Sequence, residues 1–401
     1  MKPHTRLTLA SALIATCGLA APLAAESTTV EVSPRAQASA PAAPAARASS
    51  ALARFAPASQ RREHRIDYTH WDEALGWMVI PMGPSIRQGA PRVDPITGTR
   101  RITGHESRYR LEGNRVAFSF LTPEIRQALS EYRADLERVG TELDLTSLPR
   151  NEQLAFWLNL HNVAMIEALS KHYPLTEPEE FGLDDAKLVT VDGVALSPRD
   201  IREKIVYPNW RDPKVIYGFW RGTIGGPSIQ RLAYTGGNVD ALLALSGEEF
   251  VNSLRGVEAW GGSLRVSRIY AEAAPFYFSD DASLRAHLTR FAADDVRELL
   301  SKNAGTGYNS FESDLADLSR GEKQMVYSPI SVIYCNGACD SNTIGNSDAM
   351  AIRTRPNLAI QRLMIERDRK LERARKAGIR TGMVIYGDGA YSPDAPPVEV
   401  E

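Results

Sequence analysis

The stretch NEQLAFWLNLHNVAMIEALSKHYP, residues 151–174, is apolar on nearly every side of a 3.6-residue helix. A helix that is apolar all round belongs inside a core. This one also carries Glu152, Asn159, His161 and Asn162. By the three- and four-residue spacing, Glu152, Phe156, Asn159, Asn162 and Ile166 share one face. A buried amide left without partners costs about 1–3 kcal/mol. Two outcomes therefore fit: the asparagines tie down a neighbouring loop, or they line a cleft.

Other segments surround this helix with covering elements. In 68–80, Trp71, Leu75 and Met78 recur at helical spacing, with Thr69 as the expected N-cap. His64, Asp67, His70 and Asp72 crowd its start; they read as exposed residues, with metal ligation the sharper alternative. RVAFSF (115–120) reads as a short strand. In 121–139, Thr122 caps a helix with Pro123 at its first position, and Ile125, Leu129, Tyr132 and Leu136 form its apolar stripe. Residues 188–206 read as a hairpin turning at Asp192-Gly193, then a helix capped by Ser197 with Asp200. KVIYGFW (214–220) reads as a buried strand, 236–254 as containing a helix, and GSLRVSRIY (262–270) as a strand. Residues 281–303 read as one amphipathic helix, and 356–376 as a charged helix with a solvated face.

The N-terminus has a different character. Lys2 and Arg6 precede an uncharged run from Leu7 to Ala25, the pattern of a signal peptide (1–25) cleaved near Ala25. Thr16 before Cys17 is a poor context for lipid attachment there. Residues 26–60 are rich in Ala, Pro and Ser and read as a disordered linker. The expected organisation is then a main domain over 61–302 and a C-terminal α/β extension over 303–401. That extension is either a separate small unit or an added sheet edge. The net charge of −2 offers no basic stripe for nucleic acid, and no later apolar run is long enough to span a membrane. Cys335 and Cys339, the only cysteines after the leader, are expected to pair in an exported chain, with a redox pair as the alternative. Neither a metal nor a cofactor is expected.

Three blocks carry a family resemblance. LPRNEQLAFWLNLHNVAMIEAL (148–169) resembles the signature helix of domain of unknown function 547: Ala155, Phe156, Trp157, Asn159 and Asn162 match, and His161 stands where Tyr is usual. The hairpin at 189–206 and the stretch VIYGFWRGTIGGPSIQRLAYTGGNVDALL (215–243) are similar to the family's next two blocks. The resemblance runs from about 61 to 300. It implies a papain-like or transglutaminase-like arrangement, a small antiparallel sheet with covering helices, within an α/β or α+β class. Many relatives carry a Cys just before the loop proline and a His in the preceding segment, a pairing that suits a thiolate nucleophile and its base. Here those positions are Gly226 and Ile216.

The loop within YGFWRGTIGGPSIQRLAY (217–234) keeps several readings side by side. Its glycines permit a tight turn into a helix, or their amides form a nest for an anion at that helix start. Ser228 with His161 replaces the lost nucleophile and base, or Arg221 faces a bound anion. The expected function is an exported envelope protein with a degenerate hydrolase-like cleft that binds a peptide, glycan or anionic ligand. The residues expected at it are Asn159, Asn162, Arg221, Gly222, Thr223, Gly225 and Gly226. The alternatives are a hydrolase or acyl transferase using Ser228 with His161, and a structural or interaction protein.

Overall fold

Asp67 opens the first long helix: its carboxylate accepts from the Thr69 amide at 2.9 Å and from the Thr69 hydroxyl at 2.6 Å. Thr69, the expected cap, is instead the first helical residue. The computed structural model describes residues 51–57, 65–93, 103–303, 305–310, 312–322 and 358–379, all within a unit running from Pro44 to Glu401. Cys17, Cys335 and Cys339 lie outside the described residues, as does His64.

The long helices are α1 (Thr69–Met78), α2 (Pro123–Glu142), α3 (Arg150–His172), α4 (Val239–Val251), α5 (Ile269–Tyr277), α6 (Asp281–Phe291), α7 (Asp294–Lys302) and α8 (Leu358–Lys376). The strands are β1 (Val79–Pro81), β2 (Asn114–Val116), β3 (Val189–Val191), β4 (Val194–Leu196), β5 (Val257–Trp260), β6 (Ser263–Ser267) and β7 (Thr306–Ser310). The class is mixed, helices with small sheets. Among the described residues the strands form three separate small sheets, not the one small antiparallel sheet that the resemblance implied. β1–β2 and β3–β4 are antiparallel pairs, and β5–β6–β7 is mixed because β7 joins β6 in parallel.

Several local expectations hold. Thr122 accepts from the Ile125 amide and Pro123 opens α2, whose Leu129 and Leu136 are buried. Asp192 and Gly193 both have positive φ, as a type I′ turn requires, and join β3 to β4. Ser197 and Asp200 complete a reciprocal capping box.

Others are corrected. KVIYGFW is buried but is not a strand: Asp212 accepts from the Lys214 amide and Pro213 starts a 3₁₀ turn, Pro213–Gly218. A continuous apolar run fits either geometry, so periodicity alone did not separate them. No helix begins after Gly225-Gly226; the next starts at Val239. RVAFSF is strand only to Val116, and Phe118–Phe120 is a 3₁₀ turn. The expected long helix over 281–303 breaks into α6 and α7. There the Asn252 side chain donates to the Phe291 carbonyl at 2.9 Å and accepts from the Ala293 amide at 2.7 Å, taking backbone groups that a continuing helix would use.

The core is organised around α3, in which every residue from Asn151 to Ser170 is buried. The polar side chains of one face meet a single stretch of chain. Asn162 donates to the Gly218 carbonyl and accepts from the Trp220 amide, both at 3.0 Å. Asn159 donates to the Tyr234 carbonyl at 2.7 Å and accepts from the Tyr234 amide at 3.0 Å. Glu152 accepts from the Gly236 amide at 3.1 Å. Of the two outcomes open for this face, tying down a loop is the one these bonds make.

Residues 312–322 run against the same loop from the other side. The Ile224 amide donates to the Asp314 carbonyl, the Gly225 amide to the Glu312 carbonyl, and the Ala316 amide to the Gly222 carbonyl, all within 2.9 Å. His105, 1 % exposed, anchors this segment through Nε2 to Asp317 Oδ1 at 3.0 Å. Burial works against its proton, but Asp314 and Asp317 outweigh it and raise its pKa. β7 adds an edge to the β5–β6 sheet, one of the two roles open for the tail. α8 is not simply a solvated face. Its Ile360 and Leu363 pack with Met82, Leu111, Ala117 and Leu318. Its buried Lys370 donates to the Leu111 and Gly83 carbonyls, and Glu366 pairs with Arg110. Among the described residues, no helix is long and apolar enough to cross a membrane.

Replacing Asn159 by Leu keeps the bulk and removes both bonds to Tyr234. The expected loss is about 2–4 kcal/mol, one to two unsatisfied backbone groups. Urea unfolding of the two proteins measures it; a change within error would mean that Asn159 does not hold the loop.

Candidate functional site

A cleft of about 520 Å³ opens where the glycine loop, the segment 178–185 and α5 meet. The loop contributes Arg221 and Thr223, α5 contributes Glu272, and Asp184 comes from the turn after the 3₁₀ stretch Pro178–Phe181. The floor beneath them is one charged network. Arg202, with no exposed side-chain surface, grips both Asp184 oxygens at 2.6 and 2.8 Å. Its Nε reaches Glu272 at 3.2 Å, and Glu272 takes a second guanidinium from Arg221 at 2.7 Å. Burial opposes charge on both acids, yet Arg202 holds Asp184, and Arg221 with Arg202 hold Glu272, below the usual carboxylate range. Arg202 lies in the π-wound stretch Ile201–Val206, a winding often found at functional sites.

His161 belongs to this network, and its geometry fixes its proton. Arg202 Nη1 donates to Nε2 at 3.2 Å, so Nε2 carries the lone pair. Nδ1 then bears the hydrogen and donates to Asn162 Oδ1 at 3.1 Å. Burial, with Arg202 adding to it, pushes its pKa down to about 3. Both nitrogens are thus engaged, and the lone pair faces a guanidinium.

Ser228 sits in a different network. Its hydroxyl donates to Glu249 at 2.9 Å and accepts from the Asn114 amide at 3.2 Å and from Arg255 at 3.3 Å. None of these partners is His161. Arg255 also donates to the Gly226 carbonyl at 2.7 Å, so this group braces the loop from behind.

The glycines play unequal parts. Only Gly222 among them has positive φ, at 83°. Gly225 permits close approach: a Cβ there would lie 2.4 Å from the Glu312 nitrogen. The Gly225 and Gly226 amides donate to the Glu312 and Thr223 carbonyls, so they form no anion nest, and no helix starts there to favour one. Gly226 is less crowded than Gly225, though a side chain there would press on Thr223. A Cβ would meet nothing nearer than Thr223 Oγ1 at 3.3 Å, with the Arg221 Cβ at 3.9 Å. Thr223 Oγ1 is itself buried without a hydrogen-bond partner. Asn159 and Asn162 are turned to the loop backbone, while Arg221 and Thr223 line the cleft. Among the described residues no cluster of three His, Cys, Asp or Glu side chains is arranged to hold a metal.

Sequence reasoning singled out Arg221 and Thr223 but missed Asp184, Arg202 and Glu272. One signal was present. Arg202 shares a helical face with Ile205 and Val206, as a buried arginine would.

Residues 145–251 match the family described as "Protein of unknown function, DUF547". The DUF547 segment holds α3, the β3–β4 hairpin, the glycine loop and α4, and with them Asp184, Arg202, Arg221 and Thr223. Glu272, on α5, lies beyond it. No curated protein and no solved structure matches the chain. The papain-like and transglutaminase-like comparison therefore rests on the sequence resemblance alone.

Two predictions follow from this geometry. Gly225→Ala drives a Cβ into the Glu312 backbone and lowers stability by about 2 kcal/mol or more, while Gly226→Ala stays within about 1 kcal/mol. Denaturant unfolding of both variants checks the contrast. The second concerns pH. The folded pKa of His161 is about 3 against an ordinary 6.5, so the unfolded chain binds the extra proton between those values. Its contribution is whole above pH 6.5 and is lost as pH falls toward 3. His287, pushed down to about 4 by burial, acts in the same sense. His161→Gln should lose less stability than the parent between pH 6.5 and 4, by up to about 1.4 kcal/mol per pH unit; parallel profiles would refute the assignment.

Proposed function

We propose that this chain is an exported envelope protein whose DUF547 segment carries a non-catalytic, ligand-binding cleft. The basic, then uncharged, N-terminus supports export. The observation that supports binding without catalysis is at Gly226. The position where the resembled relatives carry cysteine is a bare Cα beside the cleft-lining Arg221 and Thr223. The nearby imidazole, His161, has both nitrogens occupied. A general base must reach the proton it removes with a free lone pair, and Nε2 has none. The surrounding loop is held by the Asn162 side chain on one side and by backbone bonds from residues 312–316 on the other, which supports a preformed cleft. Preformed concave sites with a few fixed polar groups are what small ligands use.

The reading is tested by ligand-induced stabilisation. Short peptides, oligosaccharides and small anions are screened against unfolding of the mature chain. A true ligand at 100 times its Kd raises stability by about 2.7 kcal/mol. Ser228→Ala should leave that response unchanged. A hydrolytic or acyl-transfer activity that disappears in Ser228→Ala would refute the non-catalytic reading, and silence across all three classes would leave a structural role instead.

A further inference from the structure

Residues 51–57, ALARFAP, fall within the Ala/Pro-rich stretch whose composition reads as a disordered linker, yet they are packed on the domain. Ala53–Phe55 winds into a 3₁₀ turn, closed by the Ala56 amide on the Ala53 carbonyl at 3.1 Å. Such a turn sets residues three apart on one side. Leu52 and Phe55 are three apart, and their side faces inward: they are 8 % and 4 % exposed and join the main apolar core. Ala53 and Arg54, between them, face solvent.

The socket beneath them belongs to another part of the chain. The Phe55 ring meets Trp157 of α3 edge to face, with centroids 5.2 Å apart, and the turn Leu145–Ser147 packs alongside. Arg54 Nη1 reaches Asp192 Oδ2 at 2.8 Å and the Asp192 carbonyl at 3.3 Å. Asp192 sits at the tip of the β3–β4 hairpin, where its amide donates to Thr141 Oγ1 of α2 at 3.0 Å. Both partners of the Arg54–Asp192 pair are about half exposed, so it orients the segment more than it holds it. Among the described residues, the backbone of 51–57 makes no hydrogen bond to the rest of the domain; side chains alone attach it. Trp157, Leu145–Ser147 and Asp192 all lie in the DUF547 segment, and their occupant lies outside it.

We propose that this socket is a peptide-docking surface and that Ala51–Pro57 is its resident occupant, a strap that seats and unseats while the domain stays folded. Two buried side chains work against the ordering of seven residues, and no ladder or long helix ties the segment down, so the balance is close. Seated, the strap fixes where the N-terminal region leaves the domain. Unseated, it uncovers Trp157 beside the Asp192 carboxylate. That surface fits a segment of one chemistry: two apolar side chains three apart, the second aromatic, with a cation between them. The inference is independent of the cleft and of what binds there.

Two measurements on the mature chain test it. The first is trypsin cleavage after Arg54, which tracks the unseated population when reseating is fast. Each rate is taken relative to the matching free peptide of residues 51–57, capped at both ends. The parent should be protected by about tenfold or more, and Phe55→Ala by less than about twofold. Leu52→Ala serves if Phe55→Ala fails to fold. The second is binding of the free peptide, followed by saturation-transfer NMR. A strap seated in cis at a local concentration of about 1 mM needs an intrinsic Kd below that. The peptide should therefore bind Phe55→Ala with a Kd below about 1 mM, and the parent about tenfold more weakly, because its own segment fills the socket. A peptide carrying Phe55→Ala should bind neither chain. A parent cleaved as fast as its free peptide would overturn the inference, as would a peptide that binds neither chain or both equally. If Phe55→Ala and Leu52→Ala both unfold the domain, the segment is integral core and the strap is refuted.

Discussion

Side-chain amides take the place of a β-ladder in this molecule. The loop from Gly218 to Gly236 is largely buried and belongs to no sheet, so its amides and carbonyls need other partners. Asn159 offers one donor and one acceptor to a single residue, Tyr234, as a paired strand would. Asn162 does the same across Gly218 and Trp220. Asn252 repeats the device between α6 and α7. Because α3 is buried from Asn151 to Ser170, whatever it holds is anchored in the core. That is how Arg221 and Thr223, on a loop, come to stand at defined points of a cleft.

The same loop is closed from behind by residues far away in sequence. Glu312, Asp314 and Ala316 pair with its backbone, and Arg255 bonds the Gly226 carbonyl. The DUF547 segment ends at residue 251, so these braces lie outside it, as does Glu272. The family segment supplies the wall that carries the loop; later parts of the chain complete the cleft around it.

The electrostatics of the floor decide what chemistry is open to it. Arg202 is buried and serves two carboxylates and an imidazole at once. Breaking such a buried pair leaves a charge uncompensated, which is far costlier than the pair is worth in water. The network therefore resists rearrangement, and burial together with Arg202 holds the His161 pKa down. It leaves a surface of fixed hydrogen-bonding groups whose charges are paired.

The sequence alone determined which segments are interior and where several helices start. The all-round apolarity of 151–174 implied burial, Thr122-Pro123 and Ser197 with Asp200 marked helix starts, and Asp192-Gly193 marked a hairpin. These signals are local: a cap or turn is made by residues within four positions of one another, so the pattern carries the physics. The tertiary structure decided the rest. KVIYGFW has no period that separates a buried strand from a 3₁₀ turn. Residues 281–303 have an unbroken helical period, and only Asn252, some forty residues earlier, divides them. Of the candidate site, Arg221, Thr223 and the empty position at Gly226 were legible in the sequence. Asp184, Arg202 and Glu272 were not, because an ion pair between residues 18 to 70 apart leaves no mark on either local stretch.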